Sequence, residues 1–184
     1  LNNIKLANQA GFLTDIHLLI CPGKNATTQI DDVINHLQLA SKRQERILMT
    51  IQSEEELNEI KLENSIYDAV YGNIWIDVVT NSALGCSWST KTVSQNCDYI
   101  QQLVSAVNSH GREAGIFSNA AYWKQIVGDN CTRFNNLTLM YSRVGSDASD
   151  WNSTYQFGGW SVPNLKNYAT SSLVCGTRFD LTYF

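Results

Sequence analysis

One acidic side chain interrupts an apolar stretch that otherwise has the pattern of a buried β-strand, residues 74–80 (IWIDVVT). β-Branched and apolar residues dominate the stretch, and turn-forming residues flank it, as in a short strand. Burying a lone carboxylate is costly, so Asp77 indicates a functional site at the carboxyl edge of this strand. Side chains two apart on a strand share a face, and the residue that shares this face is Val79.

A carboxyl group at each of these two positions would suit the cleavage of a glycosidic bond. One carboxylic acid protonates the leaving oxygen, while a second carboxylate stabilises, attacks or activates water against the oxocarbenium-like carbon. A positioned acid or base contributes about 10²–10⁴-fold to such a rate. Valine neither donates nor accepts a proton, so positions 77 and 79 together carry one of the two carboxyl groups that this chemistry needs. The alternative interpretation is that Asp77 is a structural carboxylate, hydrogen-bonded to backbone at a strand end.

Strands and helices alternate along the chain, which predicts an α/β fold with a largely parallel sheet or barrel. A capping box formed by Ser53 and Glu56 begins one of the helices. The predicted helices span residues 1–9, 28–39, 53–70, 94–110 and 122–127. The predicted strands span residues 14–21, 74–80, 113–118, 137–144, 166–169 and 178–184.

Several segments of the chain follow one another in an order typical of one enzyme family. They are QAGFLTDIHLLICPGKNATTQIDDVINHL, WIDVVTNSALGCSW, GREAGIFSNAAYWKQIVG, LTLMYSRV, FGGWSVPNLKNYA and CGTRFDLTYF. This succession resembles the eukaryotic, lysozyme-like branch of glycoside hydrolase family 25, the Chalaropsis-type lysozymes. The resemblance covers the chain except residues 40–70, approximately, and FGGWSVPNLKNYA with the closing FDLTYF is its most specific part.

The resemblance implies an irregular TIM-like β/α barrel that cleaves the β-1,4 bond between N-acetylmuramic acid and N-acetylglucosamine in peptidoglycan. The family's central strand carries an Asp-x-Glu motif in which the Glu is the proton donor. Asp77 matches the Asp of that motif, and Val79 stands at the position of the Glu. Asp180 matches an acidic residue on the family's last strand. A further family Asp lies on the first strand, and this chain begins after it, so the barrel is expected to lack its first strands.

Four further residues are candidate substrate contacts: His17, Phe117, Tyr141 and Trp88. His17 matches an aromatic position at the family's cleft, where a histidine would hydrogen-bond a sugar or simply fill the pocket. Phe117 replaces a tyrosine and lacks its hydroxyl group. Tyr141 matches a cleft tyrosine, although the tryptophan next to it in the family is Met140 here. Trp88 would stack on a sugar ring or serve in the core.

Length and composition fit one domain over residues 1–184, of which 43% are hydrophobic. The charged segment at residues 40–70, approximately, predicts a solvated helical insert outside the barrel. A net charge of −4 without a basic tract argues against a nucleic-acid partner. The longest apolar run, residues 16–21, is too short to cross a bilayer. We therefore expect a monomer that contacts bacterial cell-wall glycan and no membrane.

Five cysteines favour an oxidising compartment, and secretion or a lysosomal location is expected. Cys86 and Cys97 flank a short loop and are the pair predicted to bridge most easily. An odd total leaves at least one thiol free or paired outside the chain. The absence of a C-x-x-C motif and the scatter of the histidines argue against zinc, and no metal or other cofactor is expected. Acceptor triplets for N-linked glycans begin at Asn25, Asn130, Asn136 and Asn152.

Three functions remain open from the sequence. The first is a lysozyme-like protein with weak or no hydrolase activity that binds bacterial wall glycans in defence or digestion. The second is an active muramidase that uses Asp77 and Asp180 with a further acid. The third is a truncated product without a cleft.

Overall fold

A computed structural model describes residues 2–49, 70–145, 147–150, 156–174 and 176–184. The helices are α1 (Asn2–Gln9), α2 (Ala26–Met49), α3 (Val93–Ser109) and α4 (Ala120–Ile126), with a short 3₁₀ helix at Trp88–Thr90. The strands are β1 (Ile16–Leu19), β2 (Ile74–Asp77), β3 (Ala114–Ser118), β4 (Thr138–Ser142), β5 (Leu165–Val174) and β6 (Thr177–Tyr183). The predicted helix over residues 53–70 lies outside the described residues except for residue 70. Of the predicted helical insert at residues 40–70, approximately, residues 50–69 lie outside them, while residues 40–49 continue α2.

The six strands form one sheet in the order β1 to β6 along the chain. Neighbours from β1 to β5 are parallel, and β5 and β6 form an antiparallel hairpin. Right-handed strand twist and helical crossovers curl such a sheet into a half-barrel. The predicted α/β class and the incomplete TIM-like barrel are confirmed, with six strands among the described residues.

The hydrophobic core fills the space between one face of the sheet and helices α2 and α3. Ile74, Ile76 and Ile116 on the strands are fully buried, as are Ile34 on α2 and Ile100 on α3. Each such side chain stabilises the fold by about 1.5–3 kcal/mol. Because successive strand residues face opposite ways, Trp75 and Asp77 lie on the other face, which we call the inner face.

Helix boundaries follow from side-chain caps. Thr92 accepts a hydrogen bond from the backbone N–H of Gln95, whose side chain accepts one from the backbone N–H of Thr92, so α3 begins with a capping box. Asn25 accepts a hydrogen bond from the N–H of Thr28 at 3.0 Å and begins α2. The prediction for α2 was wrong at its carboxyl end, because the helix continues to Met49 rather than stopping at residue 39.

Among the described residues, two disulfides join elements that are distant in sequence. Cys21 is bonded to Cys86, and Cys97 is bonded to Cys131. The predicted Cys86–Cys97 bridge was therefore wrong. Cys21 and Cys86 lie in the loops beyond the carboxyl ends of the paired strands β1 and β2, whereas Cys97 is buried on α3. The predicted unpaired thiol concerns the remaining cysteine, Cys175, which lies outside the described residues.

Candidate functional site

Asp77 is the last residue of β2, and its carboxylate lies on the inner face of the sheet. Strand pairing sets it level with Leu19 of β1 and Phe117 of β3. The side chain is 14% exposed, and its Oδ1 lies 2.9 Å from Nδ1 of His17. Among the described residues, the Asp77 carboxylate thus pairs with an imidazole rather than with a second carboxyl group.

Two aromatic rings enclose the imidazole of His17. The Trp75 ring lies nearly parallel to it, at 20° and with centroids 6.0 Å apart. The Phe117 ring meets it edge-on, at 83° and 5.3 Å. The His17 side chain nevertheless remains 42% exposed. Asp77, Trp75 and Phe117 therefore restrict the orientation of the imidazole, and the rest of the His17 side chain is exposed to solvent.

Asp15 fixes the position of Trp75. Its Oδ2 accepts a hydrogen bond from the Trp75 indole Nε1 at 2.9 Å, and its Oδ1 accepts one from the backbone N–H of Asn73 at 2.9 Å. Asp15 and Trp75 were not among the site residues predicted from the sequence. An acidic residue two positions before His17, on the same strand face, was the available signal.

Val79 lies just beyond the end of β2 and is half-buried. Its carbonyl accepts a hydrogen bond from the indole Nε1 of Trp88 at 2.8 Å. Trp88 is only 6% exposed, and its ring meets the Tyr99 ring edge-on at 6.1 Å. Trp88 thus serves in the core and holds the chain around Val79, while its predicted contact with sugar stays a prediction.

Asp180 lies on β6 and is exposed. Its Oδ1 accepts a hydrogen bond from the backbone N–H of Ser171 on β5 at 3.0 Å, next to an irregularity in the pairing of the two strands. Strand pairing sets Leu165 of β5 level with Asp77 at the carboxyl end of β2. Asp180 lies several residues beyond that level, in the direction of the carboxyl end of β5. Three strands separate it from Asp77, so a shared catalytic role for the two acids stays a prediction.

The remaining predicted contact, Tyr141, is 6% exposed and lies on β4. Its ring is 5.8 Å from the ring of Phe157. The residue paired with Phe117 in the sheet is Met140, directly before Tyr141. The structure thus brings Asp77, His17 and Phe117 together and sets Tyr141 against another aromatic ring.

Within the described ranges, histidine, cysteine and acidic side chains form no group of three or more that could hold a metal ion. No helix in the described part of the chain has the length and apolar character needed to cross a membrane.

The family model described as "Lysozyme-like protein 1" matches residues 52–168. Among curated proteins, the chain is 29% identical over 181 residues to "Probable GH family 25 lysozyme 3" of Dictyostelium discoideum, covering 98% of this chain and 32% of that protein. It is 31% identical over 115 residues to "Counting factor 50" of the same organism, covering 62% of this chain and 36% of that protein. The chain thus spans about a third of the length of these relatives.

Among solved structures, the muramidase from Acremonium alcalophilum is similar over the whole chain, with a TM-score of 0.66 and 15% identity. The match covers 100% of this chain and 73% of that structure. At this identity the likeness concerns the fold, and it agrees with the half-barrel.

Proposed function

The chain belongs to the lysozyme-like branch of glycoside hydrolase family 25, and from this premise we propose that it binds bacterial cell-wall glycan and hydrolyses it weakly or not at all. The observation that carries the proposal is the pair of residues at the end of β2. Asp77 keeps its carboxylate on the inner face, whereas Val79 stands, by the family resemblance, at the position of the proton-donating glutamate.

The energetics of glycoside cleavage explain why this substitution matters. A saccharide leaving group departs as an alkoxide unless an acid protonates its oxygen, and a positioned acid contributes about 10²–10⁴-fold to the rate. The valine side chain supplies no proton. The inner face still offers the features that glycan sites use, namely a carboxylate, an imidazole and the rings of Trp75 and Phe117.

The test compares the natural chain with two variants in a turbidity assay on purified bacterial peptidoglycan. Val79→Glu restores the carboxylic acid. Val79→Gln is the matched control, because glutamine has the same shape as glutamate but its amide group is not an acid. We expect the natural chain and Val79→Gln to stay near background, and Val79→Glu to clear the suspension at least about tenfold faster.

Binding is measured separately by co-sedimentation with insoluble peptidoglycan. All three proteins should sediment with the glycan, because the substitution leaves the aromatic rings in place. Failure of the natural chain to sediment would contradict glycan binding. Rapid clearing by the natural chain would contradict the loss of activity; if Asp180→Asn then abolished clearing, the function would be that of an active muramidase using Asp77 and Asp180.

We propose an extracellular or lysosomal location, with a role in antibacterial defence or bacterial digestion. Two disulfides support an oxidising compartment. The acceptor asparagines Asn25, Asn130 and Asn136 are exposed, and Asn152 lies outside the described residues. Protein isolated from a eukaryotic secretory host should lose mass on treatment with peptide N-glycosidase. An unchanged mass together with a reduced, cytosolic product would contradict this location.

A further inference from the structure

We propose that His17 donates the proton for the residual hydrolysis, with Asp77 as its positioning partner. The inference rests on the proposed function, because it assigns chemistry to the same glycan site. It replaces the family's carboxylic acid with an imidazolium that comes from a neighbouring strand. The juxtaposition that carries it is the 2.9 Å contact between His17 Nδ1 and Asp77 Oδ1.

The contact defines the roles of the two ring nitrogens. A carboxylate only accepts hydrogen bonds, so Nδ1 carries the hydrogen that it shares with Asp77. Nε2 is then the nitrogen that binds and releases a proton. Histidine changes its charge between about pH 5 and 8, within the range in which a proton donor must work.

The surroundings of the ring keep that nitrogen in one place. Trp75 and Phe117 restrict the imidazole, and Trp75 is itself held by Asp15. Nδ1 is occupied by Asp77 while the side chain is still 42% exposed, so part of the side chain is open to a ligand, and the proposal assigns that contact to Nε2. Fixed orientation is what distinguishes a catalytic acid from a surface histidine.

Among the described residues, two acidic side chains lie near His17. Asp77 lies opposite it on β2 and balances the positive charge of the imidazolium. Asp15 lies just before β1, and both of its carboxylate oxygens accept hydrogen bonds from other groups. The remaining ring neighbours, Trp75 and Phe117, carry no charge. Within the described residues, Asp77 is thus the ion-pair partner of His17.

The reaction balances without a cofactor. Imidazolium Nε2 transfers its proton to the glycosidic oxygen as the bond from that oxygen to C1 breaks, and the bonding electron pair stays on the oxygen. Water adds to C1 and gives its proton to the neutral Nε2, which restores the imidazolium. One water is consumed for each bond broken. Because Asp77 already shares its charge with His17, it stabilises the oxocarbenium-like carbon less than a free carboxylate would, and turnover is slow.

The test uses the full chain and two substrates that differ in their leaving group. The first is a peptide-free GlcNAc–MurNAc oligosaccharide, whose sugar leaving group needs a proton. The second is a dinitrophenyl glycoside of the GlcNAc–MurNAc disaccharide, whose dinitrophenolate leaving group departs without a proton. The value of kcat is measured for the natural chain, His17→Phe, His17→Gln and the matched control His36→Gln, which alters an exposed histidine on α2.

We expect both His17 variants to lose at least about tenfold in kcat on the oligosaccharide and less than about threefold on the aryl glycoside. His36→Gln should match the natural chain on both substrates. His17→Phe keeps an aromatic ring between Trp75 and Phe117, and urea unfolding of each variant verifies that it is folded.

The proposal is overturned if the natural chain turns over neither substrate above a heat-inactivated sample. It is also overturned if the His17 variants retain full activity, or if they lose the same factor on both substrates, since a purely structural role would produce that result. Peptidoglycan binding that persists in these cases would leave the proposed function standing. Loss of that binding in the natural chain would instead contradict the proposed function itself.

Discussion

The Trp75 indole lies directly against the backbone of Gly115 on the neighbouring strand, at a place where a Cβ atom would overlap the six-membered part of the ring. Strand pairing sets these two residues level with each other and with His17. The glycine therefore lets a large aromatic ring lie flat on the sheet beside the candidate site. The hydrogen bond from the indole to Asp15 then sets the orientation of the ring.

Gly115→Ala should destabilise the protein by about 1–3 kcal/mol, the usual cost of overpacking a filled site. The added methyl group displaces the indole, so the variant should also bind peptidoglycan more weakly. Urea unfolding measures the first effect and co-sedimentation the second. In a Trp75→Phe background the smaller ring leaves room, and the cost of Gly115→Ala should fall. An equal cost in both backgrounds would show that the indole is not what the glycine accommodates.

Each disulfide should contribute substantially to stability. The Cys97–Cys131 bond closes a loop of 34 residues and the Cys21–Cys86 bond one of 65 residues. Loop-closure entropy gives about 4 kcal/mol for either. We expect the double variant Cys97→Ser with Cys131→Ser to lose about 2–5 kcal/mol in urea unfolding. Mass spectrometry of an unreduced digest should find these two linkages, and a Cys86–Cys97 peptide would contradict the arrangement.

The sequence was informative about elements and weak about contacts. Apolar strands separated by helical patterns predicted the parallel sheet, because a strand that is buried on both faces consists of a nearly continuous run of apolar residues. The β5–β6 hairpin was predicted as two short strands. Polar residues such as Ser171 and Ser172 interrupt the apolar pattern, so the sequence did not predict that β5 continues to Val174. Its extension depends on pairing with β6, which no local pattern encodes.

The disulfides and the His17–Asp77 contact depend on the same non-local pairing. Cys86 is close to Cys97 in sequence, but the pairing of β1 with β2 brings it beside Cys21 instead. His17 and Asp77 are separated by 60 residues, and the sequence identified each one without predicting that they touch. Residue type thus gave the candidates, and strand register decided which of them meet.

Tyr99 should make stability depend on alkaline pH. Burial raises the pKa of the Tyr99 hydroxyl, and the hydrogen bond from Gln29 opposes that rise. The folded state therefore holds the phenolic proton more tightly than the unfolded chain does. The resulting stability is fully present below about pH 10, the usual tyrosine pKa, and is lost as the pH rises through the raised value.

The variant Tyr99→Phe tests this, because phenylalanine has no phenolic proton to lose. It also removes the hydroxyl whose hydrogen is shared between the carbonyls of Cys21 and Lys24. At neutral pH we expect a loss of about 1–3 kcal/mol. Urea unfolding in a pH series should show the difference between natural chain and variant shrinking above about pH 10. Tyr122→Phe on α4 is the matched control. A difference that stays constant with pH would contradict the assignment.

Asn96 ties three elements together from a buried position on α3. Its Nδ2 donates to the carbonyl of Trp88 at 3.1 Å and to that of Ile126 at 2.8 Å, and the side chain is almost fully buried. Asn96→Asp keeps the shape but replaces the donor with an acceptor that faces two carbonyl oxygens. We expect a loss of about 3–5 kcal/mol at neutral pH, as for an uncompensated buried charge.

The loss should shrink as the pH falls, since a protonated carboxyl group regains one donor. Asn108→Asp, on the exposed side of the same helix, is the matched control and should cost less than about 1 kcal/mol. Urea unfolding at pH 7 and pH 4 measures both variants. Equal losses for Asn96→Asp and Asn108→Asp would mean that the two hydrogen bonds contribute little, and that the 3₁₀ helix at Trp88–Thr90 is held to α3 by packing alone.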